Sequence, residues 1–567
     1  MVIKNKLIQQ TVLLLAVLSV TDLFAENSKA YINGSIHTFD ENLTVADSIL
    51  VKDGIIQRVG SQADVLDNTD ESTEIINLQG RMMMPSFHDA HAHPIWNGMD
   101  FLQCSVFDLL SINAIQERIR DCLEEDHVKT SGWVIGAGLN AGLFPAANPN
   151  KSLFDEVSKD IPIYIEMSDG HNALVNTKAL ELAGINKETK DPFKGIIERD
   201  PVTGEPSGTL REPSAMNLVA DVLPTETPEL RLNGLLYAQS LASSFGITSM
   251  IDAAVNEAYL ISFRDLAERG ELNLRVTACI EYGRQHYVQE FSGFEDIYKR
   301  RSEFEHARIN SNCVKIFIDG VLEGQTGAIL EPYLDSGSYG QLYFTQDELN
   351  NAIASFDANG TQVMTHAIGD RAVRSVLDAY QHAIETNGIS NNKHHISHLQ
   401  LIHEDDIPRF SELNISANFQ AAWALPDEWI TEINIPELGI ERVNRMYPIR
   451  SIHDAGGTIV GGSDWAVTTM NPLIAIETAV TRQDPSNRVE GTLNEKERMD
   501  LTEMLKAYTI NAAEVMHQGD LTGSIEVGKF ADLIILERNL YEIPLMEVGE
   551  VRVIETVLEG TTVFRID

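Results

Sequence analysis

Pro85-Ser86-Phe87-His88-Asp89-Ala90-His91-Ala92-His93-Pro94 closes an apolar run that starts at Met82. On an extended strand, side chains two residues apart point the same way, so His91 and His93 share one face. Two imidazoles at that spacing can converge on one metal ion at about 2.0–2.1 Å. An isolated H-x-H also arises by chance. Position gives this one its weight, because it ends a predicted strand, where barrel enzymes gather their active-site groups.

Outward from this stretch, apolar strand-like runs alternate with helical stretches, the signature of a parallel α/β architecture. Strands are predicted at 82–89, 246–252, 274–280, 314–319, 362–366, 394–399, 415–419 and 458–462. That set suffices for a closed (β/α)8 TIM-type barrel across residues 85–524. A further strand-like run, 161–167, falls in a long insertion after strand 1, about residues 100–235, placed to cap the barrel mouth. Residues 26–84 and 525–567 are strand-rich, with turn signals at Asn33-Gly34, Lys52-Asp53-Gly54 and Glu559-Gly560. They are expected to form one composite β-sandwich domain built from both termini.

Three more candidate ligands end later strands. His366 closes Val363-Met364-Thr365-His366, His398 closes His394-His395-Ile396-Ser397-His398, and Asp464 follows Ile459-Val460-Gly461-Gly462-Ser463. Singly, each histidine could be a satisfied core residue and Asp464 a helix cap. Together with His91 and His93 they repeat one position around a barrel, which isolated structural roles do not explain. Lys315 sits inside the apolar run Cys313-Val314-Lys315-Ile316-Phe317-Ile318. Burial lowers an amine's pKa, and a neutral amine can react with carbon dioxide to give a carbamate able to bridge two metals. The alternative is a lysine that reaches the mouth or pairs with Asp319.

The whole chain limits partners and location. With 567 residues, 43% apolar and 22% charged, it has the composition of a globular protein. A formal net charge of −41 argues against nucleic acid and anionic membrane surfaces, both of which call for clustered Lys and Arg. Lys4 and Lys6 precede the apolar run 12–18, and Ala25 offers a small residue at a cleavage point. Residues 1–25 therefore read as a signal peptide, an uncleaved anchor being the alternative, and the chain as exported, periplasmic or secreted. No stable membrane insertion is expected after leader removal. Cys104, Cys122, Cys279 and Cys313 form no C-x-x-C pair and are read as buried small residues, although an oxidising compartment would permit a bridge such as Cys104 to Cys122.

Taken as a set, these segments resemble the amidohydrolase superfamily, in its YtcJ-like branch that includes N-substituted formamide deformylases. The matching stretches are residues 85–93, Ser168-Asp169-Gly170-His171, and residues 315–332, 365–373, 394–402, 461–472 and 508–513. The resemblance implies that His91 and His93 bind one metal and His366 and His398 another. Carboxylated Lys315 would bridge them, and Asp464 would bind metal and shuttle the proton. Two zinc ions per chain are implied, although iron, manganese, nickel or a single ion also suits such donors. Ser397, where the family often has Glu, and Gln420-Ala421-Ala422-Trp423, which lacks a common proline, are departures that bear on substrate preference. His171 and Trp423 are substrate-contact candidates, whereas Glu212, Glu323 and Arg371 lie in matching segments without an assigned role.

The expected reaction is hydrolysis of a non-peptide amide-type C–N bond, N-acyl, N-formyl or cyclic, in a small-molecule substrate. Metal-activated hydroxide would attack the carbonyl, and Asp464 would pass its proton to the leaving nitrogen. An ester or lactone hydrolase on the same donors, or a non-catalytic binding or regulatory protein on a hydrolase scaffold, are the alternatives. The sequence leaves homo-oligomerisation open.

Overall fold

Eight parallel strands lie side by side in chain order: β1 (Phe87–Ala92), β2 (Ile247–Val255), β3 (Arg275–Tyr282), β4 (Ile309–Phe317), β5 (Gln362–Ala367), β6 (His395–His398), β7 (Ser416–Phe419) and β8 (Ile459–Gly461). They belong to a computed structural model that describes residues 28–283 and 293–566; the predicted signal peptide lies outside the described residues. The ring closes just beyond β8. There the Asp464 amide donates to the His91 carbonyl at 2.7 Å and the His93 amide to the Trp465 carbonyl at 3.2 Å. The strands read as continuous apolar runs because both of their faces are covered, as in parallel sheets wrapped by helices. Those helices begin where their caps dictate. Thr345 and Glu348 form a reciprocal capping box at the start of Gln346–Ala358.

The first predicted strand, 82–89, is two strands. Met82–Pro85 pairs with Ser35–His37 and Leu533–Leu536 in a different sheet, and only Phe87–Ala92 enters the barrel. The break falls at Pro85-Ser86. Proline has no N–H to continue a ladder, and the Ser86 amide turns back to the Asp532 carbonyl at 3.0 Å while the Phe87 amide starts the barrel ladder on Gly246 at 2.8 Å.

Both chain ends contribute to that other sheet, whose six strands run from Thr561–Arg565 through Leu533–Leu536 and Met82–Pro85 to Val45–Ala46. A four-stranded sheet of Ile55–Gly60, Ser48–Lys52, Ser28–Ile32 and Glu74–Asn77 packs against it. Tyr31, Ile36, Ile49, Ile56, Met83, Leu533 and Val557 fill the space between, so this is a sandwich with its own core. After β1 the chain builds a five-stranded mixed sheet from Val134–Leu139 to Pro206–Arg211, which includes the ninth predicted strand as Ile163–Met167. The helix leaving β1, Pro94–Leu102, crosses the helix Pro228–Ser244 at Gly98 and Gly234. A Cβ on Gly98 would lie 2.2 Å from the Gly234 carbonyl oxygen, so the two backbones touch only because neither residue has a side chain.

The cysteines differ from the expectation of unbridged core residues. Cys104 is bonded to Cys122, and Cys279 to Cys313. The second bond was hidden because its partners sit on neighbouring barrel strands. Cys279 on β3 and Cys313 on β4 are in direct register, which brings their Cα atoms to 4.3 Å across a separation of 34 residues. In a chain-entropy view, closing loops of these lengths stabilises the fold by about 3–4 kcal/mol each. Peptide mapping of protein made in an oxidising compartment and denatured without reductant should recover the pairs 104–122 and 279–313 with no free thiol. Four titratable thiols would exclude both bonds.

Candidate metal centre

Six predicted side chains, His91, His93, Lys315, His366, His398 and Asp464, line one cavity of about 490 Å³ at the C-terminal end of the barrel. All six are buried, Lys315 completely. Asp464 stands among the rings. Its Oδ1 lies 3.3 Å from Nε2 of both His91 and His93, and its Oδ2 lies 3.7 Å from Nδ1 of His398. The ring centroids of His91 and His398 are 4.6 Å apart, and those of His366 and His398 are 4.4 Å apart.

The backbone is bent to make this possible. His398 and Asp464 adopt left-handed φ values of 81° and 53°, conformations that cost non-glycine residues about 1–3 kcal/mol and persist only where the surroundings hold them. Gly462 admits the turn: a Cβ there would meet His91 Cβ at 2.7 Å. Asp89 then ties the turn to β1, its carboxylate accepting from the amides of His91 and Ser463 and from the Ser463 hydroxyl at 2.5 Å.

Hydrogen bonds fix which ring nitrogens face the cavity. The Ala90 carbonyl can only accept, so Asn418 presents its NH2 to it at 2.8 Å. Asn418 Oδ1 is then left to accept from Gln420 Nε2 at 3.2 Å. Gln420 Oε1 therefore faces His398 Nδ1 at 2.9 Å, which must carry the proton, leaving Nε2 as a lone-pair donor. By the same reasoning His366 Nε2 donates to the Gly320 carbonyl at 3.2 Å and Nδ1 is the free nitrogen. Neither ring nitrogen of His91, nor Nδ1 of His93, nor Lys315 Nζ has a hydrogen-bond partner. Lys315 does not pair with Asp319, which instead accepts the backbone amides of Ala328, Ile368 and Gly369.

Protonation follows from burial. Desolvation, reinforced by Lys315, lowers the His91 pKa to about 3, and burial holds His366 and His398 well below their ordinary value. Burial pushes the Asp464 carboxyl up, but His91, His93 and His398 outweigh it and hold the group well below the usual range. Burial lowers the Lys315 amine to about 7, against the opposing pull of Asp464 and Glu281. Neutral imidazoles around an anionic carboxylate are a donor set for a divalent cation. The nearest ligand atoms of His91, His93 and Asp464 lie within 4.8 Å of one another. Buried polar groups without partners are costly, and an ion would satisfy these, so the residues fit a metal.

Of the two substrate-contact candidates, His171 lines the cavity with its ring centroid 5.2 Å from that of His366. Its Nδ1 is 3.1 Å from Glu212 Oε2, which also accepts the Tyr343 hydroxyl at 2.8 Å. Burial alone would lower the His171 pKa, but Glu212 raises it above its ordinary value. Trp423 lies parallel to the His398 ring, 5.5 Å between centroids, and lines the same cavity. Glu323, also in the wall, accepts from Gln400 and Asn434, each at 2.9 Å, whereas Arg371 turns to the Gly340 carbonyl and is not among the lining residues. Sequence reasoning missed Asn418 and the roles of Gln420 and Glu212. The signal available was the polar pair Asn418 and Gln420 at the end of an apolar strand.

An α/β barrel with a sandwich assembled from both termini, and with histidines, a lysine and an aspartate at its strand ends, defines a metal-dependent hydrolase acting on C–N bonds. Residues 74–564 match the Amidohydrolase family, and the chain belongs to it. It is similar to Protein LONG AFTER FAR-RED 3 of Arabidopsis thaliana, 30% identical over 520 residues covering 90% of this chain and 87% of that one. It is also similar to N-substituted formamide deformylase of Arthrobacter pascens, 27% identical over 93% of this chain and 97% of that one. Among solved structures, an uncharacterized metal-dependent hydrolase from Pyrococcus furiosus superposes with a TM-score of 0.69 at 25% identity, covering 90% of this chain and 99% of that one.

Gln420→Met removes the acceptor that sets the His398 tautomer. Chelator competition should show divalent metal held about 10–100-fold more weakly, with Gln420→Glu, which keeps an acceptor, nearer the parent. Unchanged retention in the methionine variant would show that the Gln420 contact does not matter to the site.

Proposed function

We propose that the protein is an exported hydrolase of a non-peptide amide-type C–N bond in a small molecule, working with two divalent metals, zinc in the first instance. The observation that carries this reading is the convergence of four imidazoles, a buried amine and a carboxylate on one cavity, where both ring nitrogens of His91, Nδ1 of His93 and Lys315 Nζ have no hydrogen-bond partner. His91 and His93 would hold one ion and His366 and His398 the other, with Asp464 beside the first pair. A carboxylated Lys315 would bridge the two. Its buried amine, with a pKa lowered to about 7, has a neutral fraction near neutrality that can attack carbon dioxide. The C–N bond forms, the nitrogen loses a proton, and an anionic carbamate results.

Ions bound there would supply a water acidic enough to ionise near pH 7 and polarise the substrate carbonyl. The remaining work falls to the chain. Asp464 takes the water's proton and returns it to the leaving nitrogen, which is a poor leaving group until protonated. His171, held by Glu212 and raised in basicity, donates a hydrogen bond to the carbonyl oxygen as negative charge develops on it. Trp423 closes one wall and keeps His398 desolvated. The two disulfides and the predicted leader both support an oxidising, exported location.

Asp464→Asn should keep its fold and lower kcat by about 10²–10⁴-fold on whichever N-formyl, N-acyl or cyclic amide the wild type cleaves; near-normal turnover would remove the residue from the proton path. Lys315→Ala should lose a 13C-bicarbonate-derived carbamate signal and fall from two metal equivalents towards one. A wild-type protein with one equivalent and no carbamate carbon would mean a mononuclear site. Cleavage of esters or lactones but no amide in the same panel would overturn the C–N assignment.

A further inference from the structure

Beneath the metal donors lies a layer of side chains that hydrolysis itself leaves unused. It contains the Cys279–Cys313 bond, both halves fully buried and packed with Ala90, Ile251, Met364 and Val460 from four other barrel strands. Side chains two residues apart on a strand share a face. Cys313 therefore stands one step below Lys315 on β4, and Cys279 one step below Glu281 on β3. The register agrees, because Cys279 is opposite Cys313, and Glu281 is opposite Lys315 in the cavity wall above them.

The bond falls just above a break in that ladder. Below the break Val276 pairs with Ile309 and Thr277 with Asn310; above it the pairing is displaced by one residue, the extra one lying on β4. At the break the Ser311 amide donates to the Glu305 carboxylate at 2.7 Å and the Asn312 amide to the Asn310 side-chain oxygen at 3.0 Å. A bulge of this kind re-aims the side chains that follow it, and a slip of one residue turns a side chain to the other face of its sheet. On its other side β4 is continuous with β5, Cys313 opposite Gln362 and Lys315 opposite Met364. The β3 side is where the strand of Lys315 is interrupted.

The Lys315 amine has no hydrogen bond to steady it. Its Nζ lies 4.7 Å from the centroid of the Phe317 ring, but that ring rides on the same strand and gives no outside reference. Where the amine stands therefore depends on the backbone beneath it. A group that bridges two ions has to be placed to within about 0.5 Å.

We propose that the Cys279–Cys313 bond is a positioning element for Lys315: it pins β4 to β3 at the first paired residues above the bulge and so holds the amine where a carbamate can bridge two ions. This role rests on the binuclear reading of the site, and adds that the chain reaches its full metal complement only with the bond closed. Closing it takes two electrons and two protons from the two thiols, which a disulfide oxidant accepts as it is reduced to two thiols.

Losing either bond of this protein lowers stability by a similar amount, so a control separates position from stability. Cys279→Ala/Cys313→Ala is compared with Cys104→Ala/Cys122→Ala, both metal-replete and well below their unfolding temperatures. Metal equivalents, chelator competition and the 13C-bicarbonate-derived carbamate signal are read on each without substrate. The control should match the wild type. The barrel variant should hold its metal at least about tenfold more weakly, lose most of the carbamate signal and fall towards one equivalent. If the barrel variant does not fold, the control variant supplies the comparison, prepared with Cys279 and Cys313 either oxidised or kept reduced, since the two forms differ only in the bond. A reduced form that keeps two equivalents and the carbamate overturns the positioning role and leaves the binuclear site standing. Equal losses in the barrel variant and the control do the same. A wild type with one equivalent and no carbamate removes the binuclear reading, and the positioning role with it.

Discussion

Asp464 is an anion taken out of water and set among the rings of His91, His93 and His398, of which His91 and His398 are held uncharged by burial. Among the described residues its cationic neighbour is Lys315, whose burial lowers the amine to about 7 and favours the uncharged form. An ionised carboxylate without a counter-charge costs several kcal/mol in such surroundings, so the arrangement is coherent only as one half of a complex with positive charge supplied from outside the chain. Much of the local structure serves to hold this uncomfortable geometry. The left-handed turn at Asp464, the missing side chain at Gly462, the Asp89–Ser463 clasp and the closing amide bonds to His91 and Trp465 all act on the same few ångströms of backbone.

The rest of the fold can be ordered by distance from that point. Five of the eight barrel strands position the six donor groups, two of them at the end of β1, and their covered faces keep water from the unpartnered nitrogens. A relay of amides from Ala90 through Asn418 and Gln420 orients His398 across the barrel from the strand that supplies His91. The sandwich closes the opposite end, where Arg275 on β3 pairs with Asp532 and with Glu559 from the C-terminal strands, joining the two cores. The insertion supplies walls and brings His171 to within 5.2 Å of the His366 ring.

How far this was legible in the sequence depended on whether a residue's role is written in its neighbours. His91, His93, His366, His398 and Asp464 each end an apolar run, and Lys315 interrupts one, so local pattern alone picked them out. The eight strands and the split sandwich were visible for the same reason, through alternation and turn residues. The first strand was read as one because Met82-Met83-Met84 and Phe87-His88 are equally apolar; the change of sheet at Ser86 depends on Asp532 and Gly246, which are remote in the chain. Gln420 gains its role from Ala90, 328 residues from Asn418, and Glu212 from a histidine 41 residues earlier. The Cys279–Cys313 bond needs the register of two strands that only the closed barrel defines. Contacts of this kind have no local signature.

The crossing of Gly98 against Gly234 bears on how such an enzyme can change over generations. Because the helix that follows His93 is pressed backbone to backbone on its neighbour, its cavity-lining Trp96 and Asp100 cannot drift without dragging a donor of the centre along. Tyr164 and Glu166 arrive from a separate sheet, on the strand Ile163–Met167. Variation in what the enzyme accepts is therefore free to accumulate in the inserted sheet, while the helix at the barrel rim stays frozen, and the fold divides the adaptable from the fixed within a single cavity.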